Sequence, residues 1–281
     1  LWADLAGLYE QRLTDIYDDF LGRQLTLTLA RVYEEHLASD AKAVERYNKA
    51  LEFSGDEAEP LHALHRLLER TRDFAALATV LGKLVDVVPD GAQQAAFLFR
   101  LGELRRLEFK DLDGALQAYR DVLDREPSHP GALAALEALL DEPTCAARVL
   151  DILEPVYESA QNHERLTYLA WKRLELISDP DERARLLERL AELSEHQLGD
   201  PAAAQIAYGR ALLERPDEPS YLEQLERLAL QLGRWAEAAA VLETALQRED
   251  LDDRVTLALA LKCAGWYGDA LQDVRRAEFY Y

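Results

Sequence analysis

The sequence predicts an all-α fold, an α-solenoid in which about sixteen helices pair into antiparallel hairpins. Three observations support this: a short pattern recurs along the chain, apolar residues recur at helical spacing, and Gly and Pro fall mostly between the helical segments. The composition agrees, since 49% of the 281 residues are hydrophobic and many of them are Leu and Ala, which favour helices. No segment shows the alternation of apolar and polar residues that is typical of a β-strand.

The helices are assigned in order from this periodicity, from the intervening turn residues and from Asp-Pro pairs at helix starts, as in Asp200-Pro201 and Asp179-Pro180. They are expected at about residues 2–17, 21–39, 41–53, 60–70, 72–88, 95–109, 112–125, 132–140, 145–159, 163–177, 182–198, 201–214, 218–232, 235–248, 253–267 and 270–281.

One hairpin recurs four times. Its second helix carries an Ala with a Tyr four residues later, and fourteen residues before each Ala an apolar residue precedes a small one, which allows the two helices to approach closely. We interpret Tyr47, Tyr119 and Tyr208 as packing residues between helices. The small residue and the Ala/Tyr pair of the four copies are Ala30 with Ala43/Tyr47, Gly102 with Ala115/Tyr119, Ala191 with Ala204/Tyr208, and Ala264 with Ala277/Tyr281.

A second, different hairpin lies between consecutive copies. In its clearest example, Leu225 precedes Gly233 in the sequence, and Trp235 and Leu242 follow it. A similar pattern of apolar residues occurs in the sequence near Phe74. The repeating module therefore contains two hairpins and extends from one Ala/Tyr pair to the next.

The module resembles the tetratricopeptide repeat, in the two-hairpin style of large bacterial repeat proteins. The resemblance lies in the small, aromatic and small residues Ala204, Tyr208 and Ala211, followed by Pro216. The module is also close in length to two tetratricopeptide repeats, each of which has about 34 residues. The sequence departs from the family by one residue, because the family's usual spacing between the small position and the second helix is shorter. The resemblance implies a right-handed superhelix that binds peptides or helices along a concave face lined by the first helix of each hairpin.

The interval from Ala115 to Ala204 is longer than the other two intervals by the length of one helix. We therefore expect one extra helix and an irregular segment at about 141–181 within a single array that spans residues 1–281. Since the chain begins without Met and ends inside a hairpin copy, we interpret it as a fragment of a longer protein. Such an array exposes repeat faces at its ends, and self-association through them is a further expectation.

The net charge of −21 argues against the classes of protein that bind anionic surfaces without sequence preference. Nucleic-acid and membrane-surface binding both need a basic face, so neither is expected. An acidic groove that attracts a basic protein partner is compatible with this charge, as is a simple role in solubility. Cys263 occupies a core position of the repeat, and neither cysteine has the spacing of a zinc site or a disulfide framework.

Partner-binding residues are predicted from two sources. The first is the set of polar positions on the first helices, where the resemblance places the concave face; the second is a group of aromatic residues in the irregular segment. Because the charges are mixed, the basic clamp that some chaperone-binding members use for a carboxylate terminus is not carried over. The predicted residues are Arg31, Glu35, Arg66, Glu69, Glu103, Arg106, Tyr157, Tyr168, Trp171, Glu192, Glu195 and Arg227.

No motif in the sequence carries catalytic chemistry. There is no Gly-rich phosphate loop and no nucleophile motif, and the pair His62 and His65 lacks a third ligand at a spacing typical of metal sites. The sequence therefore predicts a non-enzymatic scaffold for proteins or peptides, with no cofactor and no metal. Two alternatives stay open: a regulatory arm of a larger enzyme, and an RNA-processing helical-repeat factor, which the acidity disfavours.

Overall fold

The computed structural model describes the backbone of residues 1–281 and every side chain except that of Ser54. It contains two compact units, Leu1–Cys145 and Ala146–Tyr281. Sixteen α-helices and no β-strand occur in the described part of the chain, which confirms the all-α fold class. The single continuous array, with its irregular segment at about 141–181, stays a prediction.

The first unit holds eight α-helices and one short π-helical turn, Val32–His36, that continues α2. The helices are α1 Trp2–Thr14, α2 Asp19–Arg31, α3 Asp40–Ser54, α4 Ala58–Thr71, α5 Phe74–Val87, α6 Gly91–Leu107, α7 Leu112–Arg125 and α8 Pro130–Ala138. Helices α2 and α3, α4 and α5, and α6 and α7 pack against each other as consecutive hairpins.

The second unit also holds eight α-helices and one π-helical turn, Trp266–Ala270. The helices are α9 Ala146–Ser159, α10 His163–Leu176, α11 Pro180–His196, α12 Pro201–Glu214, α13 Pro219–Leu232, α14 Trp235–Leu246, α15 Asp253–Gly265 and α16 Val274–Tyr280. Three helices lie along the chain between α7 and α11, whereas two lie between α3 and α6 and between α12 and α15.

The predicted hairpin copies share one turn geometry. In each copy a residue with positive φ precedes the acidic or hydroxyl residue at the N-cap of the second helix. The backbone N–H of this N-cap residue donates to a carbonyl six residues earlier. The positive-φ residues are Ala38, Lys110, Gly199 and Gln272, and each lies five residues before the Ala of its copy. The four turns therefore follow the same intervals as the Ala/Tyr pattern.

The two π-helical turns correct the predicted helices at 21–39 and 253–267. The prediction extended one regular helix through each stretch, but α2 ends at Arg31 and α15 ends at Gly265. Each π turn accommodates one more residue per turn than an α-helix does. In these two copies the widened turn lies within the fourteen-residue spacing that distinguishes this sequence from the family it resembles.

Small residues bring the paired helices together, as the pattern predicts. Tyr119 is completely buried against Gly102, and Tyr47 and Tyr208 are buried at the equivalent positions. Ala30 and Ala191, which correspond to Gly102, are also buried. The predicted packing role of these tyrosines is confirmed. Cys263 is buried as well, as its core position predicted.

Candidate partner-binding site

Ion pairs join successive first helices in the first unit. Arg66 of α4 donates to Glu34 at 2.9 Å, and Arg100 of α6 donates through Nε and Nη2 to the two carboxylate oxygens of Glu69 at 2.6 and 2.9 Å. Arg31 of α2 pairs with Glu59 of α4. Three of the predicted binding residues, Arg31, Arg66 and Glu69, are thus engaged with neighbouring helices.

Two more predicted residues form a polar cluster around Tyr119. Arg106 donates to the Glu103 carboxylate at 3.0 and 3.2 Å and to the Tyr119 hydroxyl at 3.2 Å. The Tyr119 hydroxyl in turn donates to Glu103. Burial and the carboxylate of Glu103 raise the pKa of Tyr119, so its proton is retained. These hydrogen bonds hold the Tyr119 ring in place. A further predicted residue, Glu35 on the π turn that follows α2, is exposed.

The second unit differs at the corresponding tyrosine. Arg227 of α13 donates to both oxygens of Glu195, at 2.6 and 2.8 Å. Burial, together with the nearby carboxylates of Glu192 and Glu195, raises the pKa of Tyr208. Glu192 is exposed and makes no ion pair with any residue that the structure describes. One predicted carboxylate is therefore available to a partner.

A groove of about 750 Å³ runs along α9, α10 and α11 in the second unit. Its floor is apolar and comes from two helices: Leu166 and Ala170 of α10, and Leu186, Leu190 and Leu193 of α11. Of these, Leu190 is fully buried, and the other four are partly exposed. Partly exposed aliphatic side chains in a row offer a surface that an apolar partner side chain can cover.

The rim of this groove is polar and carries both signs of charge. Arg173 donates to Glu154 at 2.7 Å, so these two charges compensate each other. Glu158, Arg189 and Glu192 complete the charged part of the rim. His163 also lies there, and its buried Nδ1 has no hydrogen-bond partner in the described part of the protein.

A smaller cleft of about 320 Å³ lies beside Trp171, between α10, α11 and α12. The Arg210 guanidinium stands 4.7 Å from the centre of the Trp171 ring, a cation–π arrangement. Arg183 also lines the cleft and donates to Glu214 and to the Leu174 carbonyl, both at 2.7 Å. Trp171 is therefore half-buried and held by its neighbours.

The predicted aromatic residues of the irregular segment take different positions. Tyr168 reaches the surface with 40% of its area exposed, whereas Tyr157 is buried among the core residues of α9. Tyr157 follows Leu150 and Leu153 at helical spacing on the buried face, which explains its position. Tyr168 and Trp171 are thus the aromatic side chains of the prediction that a partner can reach.

The pair His62 and His65 lies against one aromatic ring. Their ring centres are 5.8 and 5.7 Å from that of Phe97, and His65 Nε2 is 3.9 Å from Glu69 Oε1. Burial lowers the pKa of His65, which favours the neutral imidazole. Within the described residues no group of three or more His, Cys, Asp or Glu side chains is placed to hold a metal ion. No helix of the described chain has both the length and the apolar character needed to cross a bilayer.

Sequence reasoning missed the groove floor and Arg210. Leu166, Leu186 and Leu193 recur at the same helical spacing as the core leucines, so no sequence signal separated them from the core. Arg210 is on the second helix of its hairpin, whereas the prediction considered polar residues of the first helices.

The chain is similar to two solved structures of tetratricopeptide-repeat proteins, the family that the sequence resembles. One, titled a TPR2AB-domain:pHSP90 complex of yeast Sti1, is 14% identical, covers 91% of this chain and 98% of its own, and has a TM-score of 0.32. The other, from Parabacteroides merdae, is 16% identical over 92% of this chain and 90% of its own, with a TM-score of 0.33. No protein-family model matches the sequence.

Proposed function

We propose that this chain is a non-enzymatic protein-interaction scaffold, and that the groove along α9, α10 and α11 binds a segment of a partner protein. The observation that carries the proposal is the row of partly exposed aliphatic side chains on the groove floor, from Leu166 to Leu193. A volume of about 750 Å³ accommodates several side chains. The polar rim supplies groups that orient a bound segment.

The predicted residues outside the groove have a different role in this proposal. Arg31, Arg66, Glu69 and Arg227 join one first helix to the next through ion pairs. Exposed ion pairs contribute little free energy each. Their effect is to keep neighbouring helices in register within each unit, and Arg227, which bonds Glu195 of α11, does so beside the groove.

A peptide-display selection against the full chain tests the proposal, followed by hydrogen–deuterium exchange with a selected peptide. We expect slower exchange in α10 and α11 when the peptide is bound. The variant Leu166→Gln should weaken peptide binding about tenfold or more, because it places an amide on the apolar floor. The matched control Leu230→Gln changes a leucine of α13 that is 71% exposed outside the groove, and should bind like the wild type.

Two outcomes would contradict the proposal. One is a selected peptide that slows exchange elsewhere in the chain and leaves α10 and α11 unchanged. The other is equal binding by the Leu166→Gln and Leu230→Gln variants, provided that circular dichroism shows both to be folded.

A further inference from the structure

The first two hairpin copies place one acid and one base beside the buried tyrosine. These two residues follow the small residue of the first helix by one and by four positions. They are Arg31 and Glu34 in the first copy, and Glu103 and Arg106 in the second. In the first copy, the tyrosine hydroxyl donates to Glu34 at 2.8 Å; in the second, it contacts both charged groups. The order of the two charges is reversed between copies, but their sum is zero in each.

The third copy lacks the base. Its two positions are Glu192 and Glu195, and both carboxylates lie near Tyr208. Arg227 neutralises Glu195 from the next first helix, as Arg66 neutralises Glu34 in the first copy. Glu192 occupies the position of Arg31, so the third copy has a second acid where the first copy has its base. Glu192 is exposed and has no counter-ion among the described residues.

Glu192 is also on the rim of the groove along α9, α10 and α11. The same rim carries Glu158 and Arg189, whereas Glu154 and Arg173 neutralise each other. Glu158, Arg189 and Glu192 therefore leave the rim with a charge of −1. The leucines of the floor lie beside these charged groups. A complementary segment has apolar side chains on one face and a cation at its edge.

We propose that the groove binds an amphipathic, basic segment of a partner protein, whose Lys or Arg pairs with Glu192. The proposal rests on the proposed function of the groove and adds the charge of the partner. The apolar face covers the floor at Leu186 and Leu193. The cation supplies the counter-ion that Glu192 lacks among the described residues.

The test uses two fluorescein-labelled model helices of equal length and fluorescence anisotropy with the full chain. Both peptides carry Leu at three- and four-residue spacing on one face; one has Lys at its polar positions and the other has Glu. The wild type should bind the Lys peptide about tenfold or more tightly than the Glu peptide. Added salt should weaken binding of the Lys peptide.

The variant Glu192→Arg supplies the missing base from within the chain and should weaken Lys-peptide binding about tenfold or more. The control Glu249→Arg makes the same change of charge at an exposed residue of the loop after α14 and should weaken binding less than about twofold. Glu192→Gln, which removes the charge and adds none, should fall between these two. Thermal unfolding shows whether each variant is folded.

The outcomes separate this inference from the proposed function. If the Glu peptide binds the wild type as tightly as the Lys peptide, or if Glu192→Arg and Glu249→Arg have equal effects, the basic partner is refuted while binding in the groove stands. If neither peptide binds the wild type, both the inference and the proposed binding of an amphipathic segment fail.

Discussion

The close approach of α6 and α7 can be tested by adding one methyl group at Gly102. A Cβ atom at this position would lie 2.7 Å from Cε1 and 3.0 Å from Cδ1 of Tyr119, closer than carbon atoms normally pack. The ring has little room to move, because Tyr119 is completely buried and its hydroxyl is held by Glu103 and Arg106. Gly102→Ala should therefore force the helices apart.

Two effects of opposite sign determine the size of the change. Overpacking costs about 1–3 kcal/mol, whereas replacing Gly by Ala inside a helix gains about 1 kcal/mol. Gly82, in α5, isolates the second effect, because a Cβ there would meet no described atom within 4 Å. Gly82→Ala should therefore raise the free energy of unfolding by about 1 kcal/mol, and Gly102→Ala should lie about 1–3 kcal/mol below it.

Urea unfolding of the two variants, followed by far-ultraviolet circular dichroism, measures this difference. A double variant with Tyr119→Leu should recover part of the loss at Gly102, because the smaller side chain removes the ring that the new methyl group meets. Equal stabilisation by Gly102→Ala and Gly82→Ala would refute the packing argument. It would mean that the helices separate at no cost, and that the small residue is not required for their approach.

Two further predictions concern a helix cap and an ion pair. Asp200→Ala should lower the free energy of unfolding by about 1 kcal/mol, because Asp200 accepts hydrogen bonds from the N–H groups of Ala202 and Ala203 at 3.1 and 2.9 Å. The control Asp179→Ala should cost less, since Asp179 precedes a Pro in the same way but accepts no capping bond. Equal losses in the two variants would exclude the cap as the cause. The hydrogen bonds from Arg100 lower the pKa of Glu69, so the Glu69 carboxylate takes up a proton less readily in the folded state than in the unfolded chain. The stability that this ion pair contributes is therefore present above about pH 5 and is lost as the pH falls below about 4. The melting temperature of Glu69→Gln should therefore depend less on pH over this range than that of the wild type, and parallel curves would contradict this assignment.

The helices and their turns could largely be predicted because local chemistry determines them. Asp200 followed by Pro201 marks a helix start in any context, and the structure begins α12 at Pro201. The π turn Val32–His36 could not be predicted, because the same residues also suit a longer regular helix. Its widened turn depends on how the helix ends against its partner, which is a property of the packed hairpin.

The groove could not be predicted because exposure depends on neighbouring helices. Leu186, Leu190 and Leu193 follow one another at the spacing of a core face, yet Leu190 is buried and the other two are partly exposed. Periodicity shows which side chains share a face of α11. It does not show how much of that face α9 and α10 cover, and the uncovered part is the candidate site.

The charged positions carry information that residue counts conceal. With a net charge of −21, no single carboxylate stands out in this sequence, and Glu192 resembles many others. Alignment of the first three hairpin copies changes this, because in each of them the small residue defines two positions near the buried tyrosine. Arg31 with Glu34, and Glu103 with Arg106, combine one acid and one base, whereas Glu192 with Glu195 does not. Glu192 breaks this combination, is exposed and lies on the rim of the groove, and we therefore expect a cation of the partner to lie there.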